Sequence, residues 1–273
     1  MLTNAQNGSL DGAVRYTEAP ARRAELLNRL ASEGYVASAR IAAELGVSEM
    51  TIRRDLGQLH GEGLARRVTG GATLPFSGET FAERNRAGTA EKRAIAAACA
   101  QLLGPAATVA LDAGTTVAPL ADLLAPGTTV VTHSVPVINA CTARDDLDLV
   151  AVGGTYQPDT QAFAGPATRA GFDSLLVDVA ILSATAVDGS GLLCTNPLDG
   201  ETKRAMASIA ERVIVLVDHS KLGRRAPIRI GPLALVDVLV TDSQASAEQV
   251  DSLREAGITV VVADLQGTDA PSR

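Results

Sequence analysis

The stretch GVSEMTIRRDLGQLHGEGLARRVTGGA, residues 46–72, carries four arginines in two adjacent pairs within a chain of net charge -7. An acidic protein that gathers guanidinium groups so tightly either exposes ordinary solvated surface or faces a polyanion that the rest of the molecule repels. On a helical wheel of about 100° per residue, Ile52, Leu56 and Leu59 share one face. Met50, Thr51, Arg53, Arg54, Gly57 and Gln58 occupy the rest, mostly opposite. Ser48 is a good N-cap for this helix, which is expected to run to about His60. The run LARRVTGGATLP beyond it is strand-like and turns at Gly70 and Gly71, which predicts a short hairpin bearing Arg66 and Arg67.

The polar face has the chemistry of a duplex reader. Arginine pairs bidentately with guanine, glutamine pairs with adenine, and threonine reaches a base edge or a phosphate. The helix N-terminus adds free N–H groups and a partial positive charge. Upstream, RRAELLNRLASEG (22–34) puts Leu26, Leu27 and Leu30 on one face and stops at Gly34. In SARIAAELG (38–46), Ser38 is the expected cap, Ile41 and Leu45 lie four apart, and Gly46 ends the helix. Two helices and a glycine turn ahead of a polar-faced third predict a helix-turn-helix, with Arg66 and Arg67 on a wing that reaches the backbone or minor groove. Two arginines on an isolated short helix would be solvent decoration. Helix spacing, capping residues and a basic wing together point to DNA.

Charge is divided in the same way. Residues 21–75 hold eight arginines against six acids, whereas the remainder holds 16 basic against 25 acidic residues. The 273-residue length allows two domains, and 46% hydrophobic with 20% charged residues suits packed rather than disordered chains. Aromatics are only 3% with no Trp, which argues against stacking platforms for single-stranded nucleic acid. The three cysteines, Cys99, Cys141 and Cys194, lack C-x-x-C spacing and read as buried thiols in a reducing compartment. The N-terminus lacks the basic start and apolar core of a signal peptide, and no run approaches the roughly 18 apolar residues of a membrane span. A cytoplasmic protein without membrane contact is expected. The expected organisation is a disordered leader (1–20), a winged helix-turn-helix (21–75), a linker (76–90), an effector-binding α/β domain (91–265) and a tail (266–273).

From Glu91 onward, helical stretches such as EKRAIAAACAQLL, 117–124 and 201–211 alternate with apolar β-branched runs. ATVAL, TTVVT, LDLVAV, DVAIL, RVIVLVD, VDVLVT and ITVVVA suit strands buried on both faces. This predicts a three-layer α/β domain with a mostly parallel sheet. In ATVALDAGTTVAPLADLL a strand ends at Leu111. Asp112, Gly114, Thr115 and Thr116 then gather a glycine, hydroxyls and helical N–H groups at one point. Such a loop either binds phosphate or is a plain βα turn with hydroxyl caps. It is neither a Walker loop nor G-x-G-x-x-G, and no cofactor is expected. His60 and His219 lack metal-ligand spacing and read as surface or loop residues.

The stretch SEMTIRRDLGQLHGEGLARRVTGGA resembles the recognition helix and wing of the DeoR family of bacterial transcription regulators. In that family Thr, an apolar residue, two basic residues, Asp and Leu come in this order, and Gly-Gly-Ala comes after the wing. The resemblance makes Ser48, Thr51, Arg53 and Arg54 DNA-contact candidates, beside Met50, Gln58, Arg66 and Arg67 from the polar face and wing. Asp55 would repel phosphate and is expected to pair within the domain. The DAGTT element is similar to the family's effector domain, whose fold resembles ribose-5-phosphate isomerase and the CoA transferases. The resemblance thus implies a phosphorylated sugar at this loop.

Further family-like elements are VVTHS, VGGTYQPDTQAFAG, DVAIL, GETKRAM and VDHSKLG. They add Thr132, His133, Ser134, Gly153, Gly154, Glu201, Lys203, Asp218 and Lys221 as effector-site candidates. His133 stands where the family more often has Asn. Lys203 and Arg204 read equally as solvated helix residues, and Asp178 equally as a turn cap. The chain is therefore expected to be a ligand-controlled regulator, a repressor by resemblance, that binds double-stranded operator DNA as a homo-oligomer, at least a dimer. The competing reading is a sugar-phosphate isomerase or acyl-CoA transferase fused to a DNA-binding head, for which Asp112, Glu201 and Lys221 supply the residue types. A non-specific nucleoid protein does not fit the negative net charge.

Overall fold

The computed structural model of the chain describes residues 18–33, 35–68, 70–73 and 79–265. Most of the expected leader and the whole expected tail lie outside them. The chain divides into two compact units, Met1–Pro75 and Phe76–Arg273.

The smaller unit is a winged helix-turn-helix. Helices α1 (Ala19–Glu33), α2 (Ser38–Leu45) and α3 (Glu49–Gly61) accompany strands β1 (Tyr35–Ala37), β2 (Arg66–Val68) and β3 (Gly71–Thr73). Its core joins Leu26 and Leu30 of α1, Ile41 of α2 and Ile52, Leu56 and Leu59 of α3, all fully buried. Each such side chain contributes about 1.5–3 kcal/mol on burial. Helix α2 ends at Gly46 in a left-handed conformation (φ 66°).

Two features of this unit differ from the sequence reading. The hairpin gains a third strand, because β1 pairs antiparallel with β3. Ser38 is the first residue of α2 rather than its cap. Ala37, still in β1, holds the cap position, and the Ser38 N–H donates to the Gly70 carbonyl at 2.8 Å.

In the larger unit seven strands form one parallel sheet. They are β4 (Thr108–Leu111), β5 (Thr129–Thr132), β6 (Asp148–Ala151), β9 (Val177–Ser183), β12 (Ala210–Leu216), β14 (Val238–Asp242) and β15 (Thr259–Ala263). Their order across the sheet is β15-β14-β12-β9-β4-β5-β6. Alternate residues face opposite layers. Val109, Leu111, Val179 and Ile181 pack with α5 (Thr89–Ala100), α6 (Val135–Thr142) and a 3-10 turn at Ala118–Leu123. Ala110, Ala180 and Leu182 pack with α7 (Pro166–Asp173), α8 (Pro197–Ser208) and α9 (Ala247–Glu255). This is the three-layer α/β arrangement.

Local chemistry shifts several boundaries. The expected helix at 117–124 is a 3-10 turn with Pro119 near its start, and the missing N–H of proline shortens the helical ladder. The expected helix at 201–211 begins earlier, at Pro197. The Asn196 side chain caps the N–H groups of Leu198 and Asp199, and Pro197 takes the first helical position. A hairpin, β7 (Thr155–Gln157) and β8 (Ala162–Ala164), and a three-stranded antiparallel sheet, β10 (Ala186–Asp188), β11 (Gly191–Cys194) and β13 (Ile228–Gly231), have no counterpart in the sequence reading. The stretch read as a linker contains α4 (Phe81–Arg86), closed by a Thr80–Glu83 capping box.

Candidate functional site

On the smaller unit, the polar face of α3 sorts its side chains by the partners they hold. Ser48 caps the helix, accepting from the Thr51 N–H at 3.1 Å, and its hydroxyl lies 2.8 Å from that of Thr51. Arg53 is tied to Glu49 at 2.6 Å. Gln58 accepts from Arg23 at 2.8 Å and donates to Glu62 at 2.9 Å. Met50 is 65% exposed, and Arg54 and, on the wing, Arg67 are exposed, while Arg66 is half-buried. Asp55 turns inward, as its charge requires. It takes Arg22 Nε at 2.5 Å and lies 3.8 Å from Arg23, linking α3 to α1. His60 is in the last turn of α3, with Nδ1 3.2 Å from the Ala65 carbonyl.

In the larger unit a cavity of about 350 Å³ opens where the strand order reverses between β4 and β9. A crevice at the carboxyl ends of adjacent parallel strands, at such a switch point, is where α/β sheets take their ligands. The loop after β4 gives Gly114, Thr115 and Thr116; the end of β9 gives Ser183; and the turn after β12 gives Asp218, His219 and Lys221. Lys203 and Asp199 come from α8, and Arg84, Glu91 and Lys92 from the α4–α5 segment.

Asp112, fully buried beneath this floor, staples β4 to β9. Its Oδ2 accepts from the Ser183 N–H at 2.9 Å, from the Ser183 hydroxyl at 2.6 Å and from the Lys203 ammonium. A Cβ on Gly114 would stand 2.1 Å from Ser183 Oγ, so only glycine lets the loop lie against this staple. Burial alone would raise the Asp112 carboxyl, but Lys203, His133 and the hydrogen bonds from Lys203 and Ser183 outweigh it and bring it to about 2. Burial likewise opposes the Lys203 ammonium, yet Asp112 and Asp199 hold it above the usual lysine value. His133, packed edge-on to Phe172 at 5.7 Å, is pushed down to about 4 by burial.

The candidate effector residues fall into two groups. Gly114, Thr115, Thr116, Lys203, Asp218 and Lys221 line the cavity, and Asp112 organises it from below. Thr132, His133, Ser134, Gly153, Gly154 and Glu201 do not line it. The Thr132 hydroxyl donates to the Leu111 carbonyl at 2.7 Å and accepts from the Ser134 N–H, and Ser134 caps α6. Gly153 and Gly154 pack at Thr168 of α7, and Glu201 pairs with Arg169 at 3.3 Å. Asp178 accepts from the Thr108 N–H at the far end of the sheet.

Sequence reasoning missed Arg84 and Lys92, hidden in and just after a stretch that reads as linker, and His219. The last sits in the motif that offered Asp218 and Lys221, and its Nδ1 lies 2.9 Å from the buried Asp242. All three cysteines are buried and free. Among the described residues, no helix is long and apolar enough to cross a membrane, and no three His, Cys, Asp or Glu side chains gather as metal ligands.

Residues 22–77 match the DeoR-like helix-turn-helix domain, and residues 88–243 match the DeoR C terminal sensor domain. The transcriptional repressor AccR of Agrobacterium fabrum is 34% identical over 229 residues, covering 81% of this chain and 89% of its own. The glycerol-3-phosphate regulon repressor of Escherichia coli is 31% identical over 223 residues, covering 80% and 88%. Among solved structures, ribose 5-phosphate isomerase A from Methanocaldococcus jannaschii overlaps 48% of this chain and 52% of its own, with a TM-score of 0.34 and 18% identity. Two domain matches in the order that the fold displays, with relatives aligned over most of their length, place the chain in the DeoR family of DNA-binding transcriptional regulators, as a regulator and not an enzyme.

Proposed function

We propose that the cavity of the larger unit binds a phosphorylated sugar and that this ligand controls how tightly the smaller unit holds its operator. One observation carries the reading. The glycine–hydroxyl loop Gly114–Thr116 at the sheet's switch point shares a cavity with Lys203 and Lys221, so backbone N–H groups and ammonium groups serve the same space. The carboxylate of Asp218, just past the carboxyl end of the parallel strand β12, suits sugar hydroxyls. No Phe, Tyr or Trp is among the described residues that line the cavity, which leaves a nucleobase without a large stacking surface. The name of the Escherichia coli relative, a glycerol-3-phosphate regulon repressor, supports a small phosphorylated effector from carbohydrate metabolism.

At the operator, Ser48, Met50, Thr51, Arg53, Arg54 and Gln58 face the major groove, and Arg66 and Arg67 contact the backbone or minor groove from the wing. A single recognition helix reads too few base pairs for genomic specificity, so the regulator works as a homo-oligomer, at least a dimer, on paired half-sites. It represses, as its named relatives do, and the effector relieves repression. The test is isothermal titration with matched phosphorylated and unphosphorylated sugars, then gel-shift assays on the gene's upstream region. Binding of a phosphorylated sugar alone, with a shifted operator affinity, supports the reading; indifference of the operator complex to every phosphorylated sugar overturns it.

A further inference from the structure

The hairpin of β7 and β8 turns over residues 158–161, and this turn is tied on several sides. Thr160 lines the cavity. The Asp159 carbonyl accepts at 2.6 Å from the N–H of Phe81, the first residue of α4. The Gln161 carbonyl accepts at 2.9 Å from the N–H of Val135, the first residue of α6. Just beyond, the Phe163 N–H donates to the His133 carbonyl at 2.9 Å. One four-residue turn therefore joins the cavity wall, the carboxyl end of β5 and the start of α4. Helix α4 lies in the segment that follows the unit boundary at Pro75 and Phe76.

Two features set this turn apart. Gln161 has a φ of 50°, in the left-handed region, where a Cβ is disfavoured and hairpins ordinarily place glycine or asparagine. Among the described residues only one other non-glycine residue, Ala106, has a positive φ, and it does not line the cavity. Strained backbone of this kind gathers at ligand contacts and switches, because the surroundings must hold it in place. The second feature is the Thr160 hydroxyl. It donates to the Gln157 carbonyl at 3.4 Å, which uses its one O–H and leaves the oxygen as an acceptor. A phosphate dianion has no proton to give that oxygen, whereas a sugar hydroxyl has.

We propose that the turn at residues 158–161 reads the sugar part of the effector through Thr160 and relays its presence to α4 through the Asp159–Phe81 hydrogen bond. This rests on the phosphorylated-sugar reading and adds to it a contact for the sugar and a two-state element. In one state Gln161 is left-handed, Thr160 faces the cavity and Asp159 holds Phe81. In the other Gln161 relaxes out of that region and the hold on Phe81 is released. The effector shifts the balance only by binding the first state better than the second.

The experiment titrates inorganic phosphate and a hexose 6-phosphate into the full chain and follows hydrogen exchange at the Phe81 amide. The expected result for Gln161→Gly, which eases the left-handed turn, is hexose 6-phosphate affinity about threefold or more tighter than wild type. Gln161→Val, whose branched Cβ opposes that turn, shifts affinity the other way. Thr160→Val is expected to bind hexose 6-phosphate about threefold to tenfold more weakly, with inorganic phosphate unaffected and Thr160→Ser restoring the loss. Phe81 exchange slows when the sugar phosphate binds. Thermal melts confirm folding, and Gln161→Gly carries the test should Gln161→Val unfold. Wild-type affinity in Gln161→Gly, or unchanged Phe81 exchange on binding, overturns the relay. Wild-type hexose 6-phosphate affinity in Thr160→Val, beside loss of binding in Thr115→Ala, overturns the sugar contact and leaves the cavity reading standing. A wild-type chain that takes up neither probe overturns the underlying reading, and this proposal with it.

Discussion

Arg22 Nε of α1 donates to the Asp55 carboxylate of α3 at 2.5 Å, and both side chains are almost fully enclosed. The recognition helix is therefore oriented by a buried ion pair as well as by its leucine face. Breaking such a pair from one side strands a charge and costs about 3–5 kcal/mol. Asp55→Ala is expected to lower the melting temperature of the smaller unit and abolish operator binding, while the larger unit melts unchanged. Differential scanning calorimetry of the full chain separates the two. An unshifted transition would show that the pair is dispensable.

Arg54 and Arg53 are expected to respond differently to truncation, although they are adjacent. Arg53 is already committed to Glu49, while Arg54 is exposed on the same helix. Arg54→Ala should cost about 1–3 kcal/mol of specific operator binding and relax preference at one base pair. Arg67→Ala should weaken binding to all sequences alike and reduce the salt slope by about 1. Affinity measured at several salt concentrations on wild-type and single-substituted operators tests both.

Lys203 keeps Asp112 ionised, and its removal should invert Asp112's own contribution to the acid response of the larger unit. In the wild-type chain the folded Asp112 value of about 2 lies below its ordinary 3.8. Its contribution is complete above the ordinary value and is lost as pH falls toward the folded one. In Lys203→Met the burial effect is left unopposed and the folded value rises. The Asp112 contribution then favours the acid side and is lost as pH rises. Asp112→Asn in that background should remove this part of the dependence, so the sign is read from the difference between the two variants. Thermal melts of both from pH 7 to pH 3 give that difference.

His133 contributes over a different window. Buried in neutral form, it titrates at about 4 in the folded chain against 6.5 ordinarily. Its stabilisation is present above pH 6.5 and drains away as pH falls toward 4, by roughly 3 kcal/mol in all. His133→Asn should flatten the stability profile between those values without altering it near pH 8. Equilibrium urea unfolding across this range is the measurement.

Gly114→Ala tests the floor of the cavity. The added methyl would meet Ser183 Oγ at 2.1 Å and Ser183 Cβ at 2.4 Å, which forces apart the staple between β4 and β9. The expected outcome is loss of effector binding with operator binding intact, measured by titration calorimetry and gel shift on the same preparation. Retained effector affinity would place the ligand elsewhere.

Much of this protein was legible from local pattern. The Ile52–Leu56–Leu59 spacing, the Ser48 cap and the Arg66–Arg67 hairpin specify the reading helix and wing, because helix periodicity and capping act over one or two turns. The inward pairing of Asp55 was expected from the cost of a carboxylate beside phosphate. The apolar runs that became β4, β9 and β12 announce a sheet buried on both faces, and the Asp112–Thr116 loop announces a strand end suited to an anion. Thr132 and Ser134 carry hydroxyls of the right type for a sugar, yet the fold uses those hydroxyls on its own backbone.

By itself, then, the sequence determined the reading helix and wing, the seven strands of the large sheet, the division into a basic head and an acidic α/β body, and the family. Tertiary structure alone decided which strand ends meet. Asp112 and Ser183 are 71 positions apart and touch only because the strand order reverses between β4 and β9. It also decided that Arg84, from a stretch read as linker, and Lys92, from the start of a predicted helix, line the same cavity as Lys203. Periodicity records which way a side chain faces within its own element. The order of strands is fixed by the summed packing of the whole sheet, and no short window of sequence contains it.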